Sequence, residues 1–140
     1  MGWTRSELMR VRMFQPRFAP LVKSGAKRQT IRPVPKRMPQ IGDRESWREW
    51  TGRPYWSLQQ ELAKVQIIAV ETIEIHGDIW GTHHFAVKGA TALRQDWWGI
   101  NGWDGFAKAD GFGSLRELFD WFKAEHGLPF FGIVITSKDL

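Results

Sequence analysis

Residues 24–32 read Ser24-Gly25-Ala26-Lys27-Arg28-Gln29-Thr30-Ile31-Arg32. A helix is predicted before this stretch, with Pro16 suited to its first turn and apolar residues at helical spacing up to Val22. Gly25 suits the left-handed residue that ends a helix, and Lys27 to Arg32 are predicted to form a strand. The stretch is therefore predicted to join a helix to a strand.

Further strands are predicted on both sides of this junction. They comprise Arg10 to Phe14, the region around Glu45–Trp50, Lys64 to Ile75, and Phe130 to Thr136, all rich in alternating or β-branched residues. Ser114 and Glu117 have the spacing of a capping box, which predicts a helix that ends at Gly127. The order of elements predicts a mixed α+β domain, a small curved or barrel-like sheet flanked by helices.

Length and composition indicate one globular domain that covers residues 1–140. The chain has 140 residues, of which 42% are hydrophobic and 25% charged, and it contains no cysteine. Disulfides, thiol nucleophiles and cysteine-ligated zinc are therefore excluded. No apolar run approaches the roughly 20 residues that span a bilayer, and the first residues show no signal peptide. We expect a cytoplasmic protein without a membrane partner.

Charge is distributed unevenly along the chain. Residues 1–60 hold 13 Lys and Arg against four Asp and Glu, whereas residues 61–140 hold seven against 11. Such asymmetry predicts a basic face for a polyanion, most often nucleic acid, although a solvated surface without a specific partner has the same composition.

Tryptophan is unusually frequent, with nine residues in the chain. Trp97, Trp98 and Trp103 lie in a glycine-rich stretch that is predicted to be a loop with short helical pieces. Exposed loop tryptophans beside a basic face can stack nucleobases. The same side chains can equally anchor the loop to the core.

The sequence lacks the common catalytic templates. It contains no G-x-S-x-G, no P-loop and no dinucleotide-binding glycine pattern. Its four histidines lack the spacing of a helical zinc pair, so neither a metal nor another cofactor is predicted.

The junction itself has the residues of a reactive or anion-binding site. Lys27 and Thr30 would face opposite sides of a regular strand, and they converge only if Lys27 belongs to the bend after Gly25. Arg28 and Arg32 are expected to share the strand face of Thr30 and to lower the pKa of Lys27, which would then serve as a base. The alternative is an exposed basic turn.

These residues carry a family resemblance. The sequences at residues 14–18 and 25–32 resemble the opening of ASCH domains, in which G-x-K-x-x-T-I-R follows a short helix. Later stretches resemble the family in order and spacing, namely 41–43, 107–112, 114–122 and 130–135. The similarity covers about residues 10–136, with an insertion rich in Trp and Gly at about 77–105.

The resemblance implies a PUA-like fold and a cleft that handles RNA or modified nucleobases. Small bacterial members similar to N4-acetylcytidine amidohydrolase place a Lys, a Thr three residues on and a carboxylate in the active site. By position these are Lys27, Thr30 and Asp110, although this chain has Asp where those enzymes have Glu. Asp110 would orient the attacking group. It is also expected close to a helix N-terminus, which favours a carboxylate electrostatically, and the alternative is a simple helix cap, for which Ser114 is the better candidate.

Three functions follow as hypotheses. The first is binding of RNA, another single-stranded nucleic acid or a modified nucleobase through Arg17, Arg28, Arg32, Lys36, Arg37, Trp97, Trp98 and Trp103. The second is hydrolysis, either of a modified pyrimidine nucleoside or of single-stranded RNA, by Lys27, Thr30 and Asp110. The third is a protein-interaction domain that presents the tryptophan-rich loop.

Overall fold

A computed structural model describes residues 8–77, 83–88 and 102–140, and for 83–88 it describes the backbone alone. The strands are β1 (Met9–Met13), β2 (Gln29–Pro33), β3 (Arg44–Trp50), β4 (Gln59–Gly77), β5 (His83–Lys88) and β6 (Phe130–Asp139). The helices in these ranges are α1 (Ala19–Ser24), α2 (Gly102–Ala109) and α3 (Leu115–His126). The predicted α+β class is confirmed.

The six strands form one sheet in the order β1-β3-β4-β6-β2, with β5 also paired to β4. Strand β1 runs parallel to β3, and the other pairs are antiparallel. Strand β4 is 19 residues long, so it can pair with three neighbours along its length. No ladder joins β1 to β2 in the described ranges, so strand pairing does not close the predicted barrel there.

The core lies between one face of the sheet and the helices. It contains aromatic side chains from the helices and loops packed on aliphatic and aromatic side chains of the strands, including Phe14, Phe18, Trp47, Ile73, Phe106, Phe112, Leu118, Phe122 and Val134. Alternate residues of a strand face opposite sides of the sheet. Ile133 and Ile135 therefore lie on the face opposite the core, where they pack with Ile67 in a smaller cluster. The core thus covers one face of β6 and the small cluster covers the other.

Helix α3 begins and ends where the sequence predicted. The Ser114 hydroxyl accepts a hydrogen bond from the Glu117 amide at 3.2 Å, and the Glu117 carboxylate accepts one from the Gly113 amide at 3.0 Å. Gly127 follows the last turn with φ +76°. The capping-box prediction is confirmed. No helix in the described residues is long and apolar enough to cross a membrane.

Several element bounds differ from the prediction, among them those of β2, which begins at Gln29 and not at Lys27, and of β4, which is longer at both ends. Helix α1 begins at Ala19 with Pro20 in its first turn, whereas residues 16–18 form a turn before it. Strand β5 lies within the stretch predicted as loop, and its pairing with β4 extends the sheet. The cause is tertiary: β5 is held by the ladder to residues 72–77, a partner that the local sequence does not reveal.

Candidate functional site

The junction between α1 and β2 places Lys27 in a bend. Gly25 has φ +92° and ends the helix with a hydrogen bond from its amide to the Val22 carbonyl at 3.2 Å. The Lys27 amide then donates to the Leu21 carbonyl at 3.0 Å, and β2 begins only at Gln29. The bend therefore lets Lys27 reach the same cavity as Thr30, which a regular strand would not allow.

Lys27, Gln29 and Asp110 form a buried polar cluster. The Lys27 ammonium donates a hydrogen bond to the Asp110 backbone carbonyl, and its nitrogen lies 3.5 Å from the Asp110 carboxylate. Gln29 Nε2 donates to the other carboxylate oxygen at 3.1 Å and contacts the Phe106 carbonyl at 3.3 Å. Asp110 is 3% exposed, so its charge relies on these two neighbours.

Asp110 follows the C-terminus of α2 rather than the N-terminus of a helix. Its amide donates to the Ala107 carbonyl at 3.1 Å, and Ser114 is the residue that caps α3. The expectation that a helix N-terminus favours this carboxylate is therefore wrong. The described contacts of the carboxylate are with Lys27 and Gln29, so it holds Lys27 in place.

Thr30 and Arg32 form a second polar pair on the opposite side of β2 from Gln29. Arg32 Nε donates to the Thr30 hydroxyl at 3.0 Å, and Arg32 Nη2 donates to the Met13 carbonyl at 2.8 Å. The prediction that Thr30 and Arg32 share a strand face is confirmed. The Arg32 side chain also links the two end strands of the sheet, β2 and β1, where no ladder connects them.

A cavity of about 190 Å³ is lined by residues of both the buried polar cluster and the Thr30–Arg32 pair. Its charged and polar lining residues are Gln15, Lys27, Thr30, Arg32, Asp110 and His126. The remaining lining is largely apolar and aromatic, including Phe14, Phe18, Trp121 and Phe122. Its volume is below the roughly 300–1,000 Å³ of pockets for drug-sized ligands, so it suits a ligand about the size of one small ring.

The cavity is basic, and burial shifts the pKa values of its ionisable side chains. Burial lowers the pKa of Lys27 from 10.5 to about 8, the Asp110 carboxylate offsets part of that change, and Arg32 adds to it. Burial raises the pKa of Asp110, whereas Lys27 and Gln29 act in the opposite direction. Burial also lowers the pKa of Arg32, to about 10, with a further contribution from Arg12. Arg32 therefore stays charged at neutral pH, while Lys27 can exchange a proton slightly above it.

Aromatic rings lie beside both cations. The Lys27 nitrogen is 4.8 Å from the centre of the Phe18 ring, and the Arg32 guanidinium carbon is 4.8 Å from that of Phe14. These distances are those of cation–π contacts, which stabilise the charged forms.

A buried network behind Arg32 was not predicted. Arg12 donates two hydrogen bonds to the Glu45 carboxylate at 2.7 and 2.6 Å, and Trp47 Nε1 donates to the same carboxylate at 2.9 Å. Glu45 is fully buried, so this bidentate pair fixes β1 against β3 close to the site.

Several predicted binding residues lie away from the cavity. Arg28 donates to Asp139 at 2.8 Å and to the Val22 carbonyl at 2.7 Å, so it does not join Thr30 and Arg32 and is not among the causes of the lowered pKa of Lys27. Arg17 pairs with Glu117 and lies 4.9 Å over the Phe112 ring. The expected role of Arg28 toward Lys27 is wrong because Arg28 turns to the end of α1 and to β6.

The other predicted residues are exposed or lie outside the described ranges. Lys36 and Arg37 are exposed in the loop that follows β2. Trp103 is 36% exposed and meets the buried Phe106 ring edge-on at 5.4 Å. Trp97 and Trp98 lie outside the described residues. Within the part of the chain that is described, no group of three His, Asp or Glu is placed to hold a metal ion.

Two residues were missed, Gln29 in the buried polar cluster and His126 in the cavity lining, although the sequence contained a signal for one of them. Gln29 is two residues from Lys27, and strand alternation places it on the side opposite Thr30, where Asp110 lies. His126 ends α3 and stacks on Phe122, with ring centres 5.5 Å apart. Its place at the cavity depends on how α3 packs on the core, which no local pattern shows.

Comparisons with known proteins give little further information. No protein-family model matches the sequence, and no curated protein matches it. A solved structure described as "Crystal structure of hypothetical protein PH0355" is similar, with 14% identity over 95% of this chain and 100% of that chain and a TM-score of 0.48. That description names no activity.

Proposed function

We propose that the cavity binds one unpaired nucleobase, either of a modified nucleoside or of a single-stranded RNA. The observation that carries the proposal is a small cavity in which Lys27, Thr30 and Arg32 lie between aromatic side chains. A nucleobase has a flat π-face and an edge of hydrogen-bond acceptors and donors. The cavity offers aromatic surface to the face, and the two cations and the hydroxyl to the edge.

The charges favour a base that presents carbonyl oxygens. Lys and Arg only donate hydrogen bonds, so two cations in one cavity select acceptors on the ligand. A pyrimidine carries a carbonyl between its ring nitrogens and, when acylated on its exocyclic nitrogen, a second one. The basic first half of the chain would attract the phosphates of a strand that carries such a base.

We further propose that the chain is an ASCH-type protein with a PUA-like barrel. Three observations support this proposal: the G-x-K-x-x-T-I-R stretch opens the cavity, Asp110 lies opposite Lys27, and Arg32 links β1 to β2 where a barrel would close. A crystal structure of the protein with a strand topology different from that of PUA-like barrels would contradict it.

The binding proposal is tested with Thr30→Val, which keeps the shape of the side chain and removes its hydroxyl. Arg32 Nε loses its acceptor and the ligand loses a partner, so we expect affinity to fall about tenfold, equivalent to roughly 1–1.5 kcal/mol. Calorimetry with cytidine, uridine and N4-acetylcytidine measures it.

Two variants serve as controls for this experiment. Thr30→Ser keeps the hydroxyl and should bind nearly as well as the wild type. Thr72→Val makes the same change at an exposed position of β4 and should leave affinity unchanged. If the wild type binds neither these nucleosides nor a short RNA, the proposal is wrong.

A second candidate function is hydrolysis of an amide on the bound base, and the pKa of Lys27 near 8 favours it. Neutral Lys27 would accept a proton from water or the Thr30 hydroxyl, and the resulting oxygen would attack the acyl carbon. The carbon–nitrogen bond would then break, and the base would leave as the amine with the returned proton. A threonine adduct would need a water to release the acid.

This candidate predicts a specific pH dependence. Because only neutral Lys27 acts as a base, turnover of N4-acetylcytidine should rise with pH from about 7 and level off above about 8. Lys27→Met should abolish turnover at every pH. A rate that is independent of pH between 7 and 9, or turnover that survives in Lys27→Met, excludes Lys27 as the base.

A further inference from the structure

The loop between β3 and β4 holds aromatic side chains in solvent. Tyr55 is 88% exposed and Trp56 is 77% exposed, and the Tyr55 ring lies 5.2 Å from the half-buried Trp50 ring. A cluster of exposed aromatic side chains indicates an interaction site, whereas single exposed residues do not. We call the tip of this loop, which carries Tyr55 and Trp56, the aromatic hairpin.

The backbone of this loop is held in one conformation by hydrogen bonds. The Thr51 amide donates to the Leu58 carbonyl at 2.8 Å and closes the loop. Inside it, the Gly52 amide donates to the Ser57 hydroxyl at 3.0 Å, and that hydroxyl donates to the Arg53 carbonyl at 2.8 Å. A preordered surface loses less entropy when a ligand binds to it.

Tyr55 also has an unfavourable backbone conformation. Its φ is +67°, in the left-handed region that residues with a side chain rarely adopt. Strain of this kind persists where the surrounding structure enforces it, and it is common at binding sites. Neither burial nor backbone preference explains why tyrosine occupies this position.

A groove extends from beside the cavity to Gly52 and Pro54 of the loop that carries the aromatic hairpin. It has a volume of about 250 Å³, and its lining residues are Met13, Phe14, Gln15, Pro16, Trp50, Gly52 and Pro54. Three of them, Met13, Phe14 and Gln15, also line the cavity. A ligand longer than one base can therefore extend from the cavity toward the hairpin.

We propose that the aromatic hairpin stacks bases adjacent to the one in the cavity, so that the site binds a single RNA strand of several nucleotides. This inference rests on the proposed function. The loop at residues 51–58 has one charged residue, Arg53, and no acidic one. The Arg53 guanidinium lies 5.2 Å over the Trp56 ring, where it can contact a phosphate while the ring contacts a base. This charge complementarity favours a nucleic acid over a protein partner.

The test compares a single nucleoside with RNA chains of increasing length. The variants are Tyr55→Gly, which fits the positive φ and removes the ring, and Trp56→Ala. Stacking on one aromatic side chain contributes about 5- to 150-fold in affinity, so each variant should bind a fluorescein-labelled eight-nucleotide RNA more weakly by that factor. Binding of cytidine should stay unchanged, because neither residue lines the cavity.

Matched controls separate stacking from folding and from general apolar contact. Trp56→Phe keeps a ring and should retain most of the affinity for RNA. Leu58→Ala removes an equally exposed apolar side chain from the same loop and should bind like the wild type. Tyr55→Gly should have a melting temperature at or above that of the wild type because it relieves the strained φ.

The outcomes distinguish this inference from the proposed function. Wild-type binding of both ligands, with Tyr55→Gly and Trp56→Ala within twofold of it for the RNA, overturns the hairpin proposal alone. So does a wild-type dimer that both variants convert to monomer without a change in RNA affinity, since the hairpin is then an interface between copies. Failure of the wild type to bind either ligand overturns both proposals.

Discussion

Replacing Lys27 with methionine is expected to lower the free energy of unfolding by about 3–5 kcal/mol, the effect of removing one partner from a buried ion pair. Among the described residues, the Asp110 carboxylate would keep only Gln29 Nε2 as a side-chain donor. Methionine has nearly the volume of lysine, so a new cavity does not cause the loss. Urea unfolding at pH 7 measures the change.

Two further variants identify the ion pair as the cause. Lys23→Met makes the same substitution at an exposed position in the last turn of α1, where it should lower stability by less than about 1 kcal/mol. Lys27→Met combined with Asp110→Asn removes both charges and should recover at least half of the loss. A loss below 1 kcal/mol for Lys27→Met alone, or full additivity in the double variant, would contradict this account.

Burial of Lys27 makes wild-type stability depend on pH in a defined direction. The pKa of Lys27 is about 8 in the folded protein and 10.5 when lysine is exposed. Between these values the unfolded chain binds the proton that the folded protein has released, so the free energy of unfolding should rise with pH from about 8 to 10. The rise should be absent in Lys27→Met, and the lack of a rise in the wild type would show that burial does not lower the pKa of Lys27.

The sequence predicts the local parts of the site well. Gly25 has no side chain and so can end α1 in a left-handed conformation, and that ending is what places Lys27 in a bend rather than in β2. The Thr30–Arg32 pair follows from alternation along a strand. These features depend on residues within one turn or one strand, where backbone sterics act directly.

The contacts between residues far apart in the sequence could not be predicted from local patterns. Asp110 reaches Lys27 across 83 positions of sequence, and only the family resemblance suggested it. The Arg12–Glu45 pair depends on β1 lying parallel to β3. Parallel strands are joined by a long connection, and the sequence of neither strand shows that the two will pair. Arg28 was misplaced because its partner Asp139 lies 111 positions away in β6. Charge and spacing identified the right residue types, whereas tertiary packing determined which of them meet.

Gly132→Ala is expected to destabilise the protein by about 3 kcal/mol or more, at the upper end of what an added methyl group does in a packed interior. Gly132 lies in β6 between β2 and β4, opposite Pro33 and Ile73. A methyl group there would lie 2.3 Å from the Arg32 carbonyl oxygen and 2.7 Å from the Phe130 ring. The carbonyl belongs to the backbone, so it can move only with β2.

That movement connects the stability of the sheet to the site. Because β2 carries Thr30 and Arg32, displacing its backbone would stretch the hydrogen bond from Arg32 to the Met13 carbonyl, and nucleoside binding should fall together with the melting temperature. Gly52→Ala provides the control, since a methyl group there meets Ser57 at an ordinary contact distance of 3.4 Å. If Gly132→Ala melted within 2 °C of Gly52→Ala and bound nucleosides normally, β2 would have to be less tightly packed against β6 than these distances require.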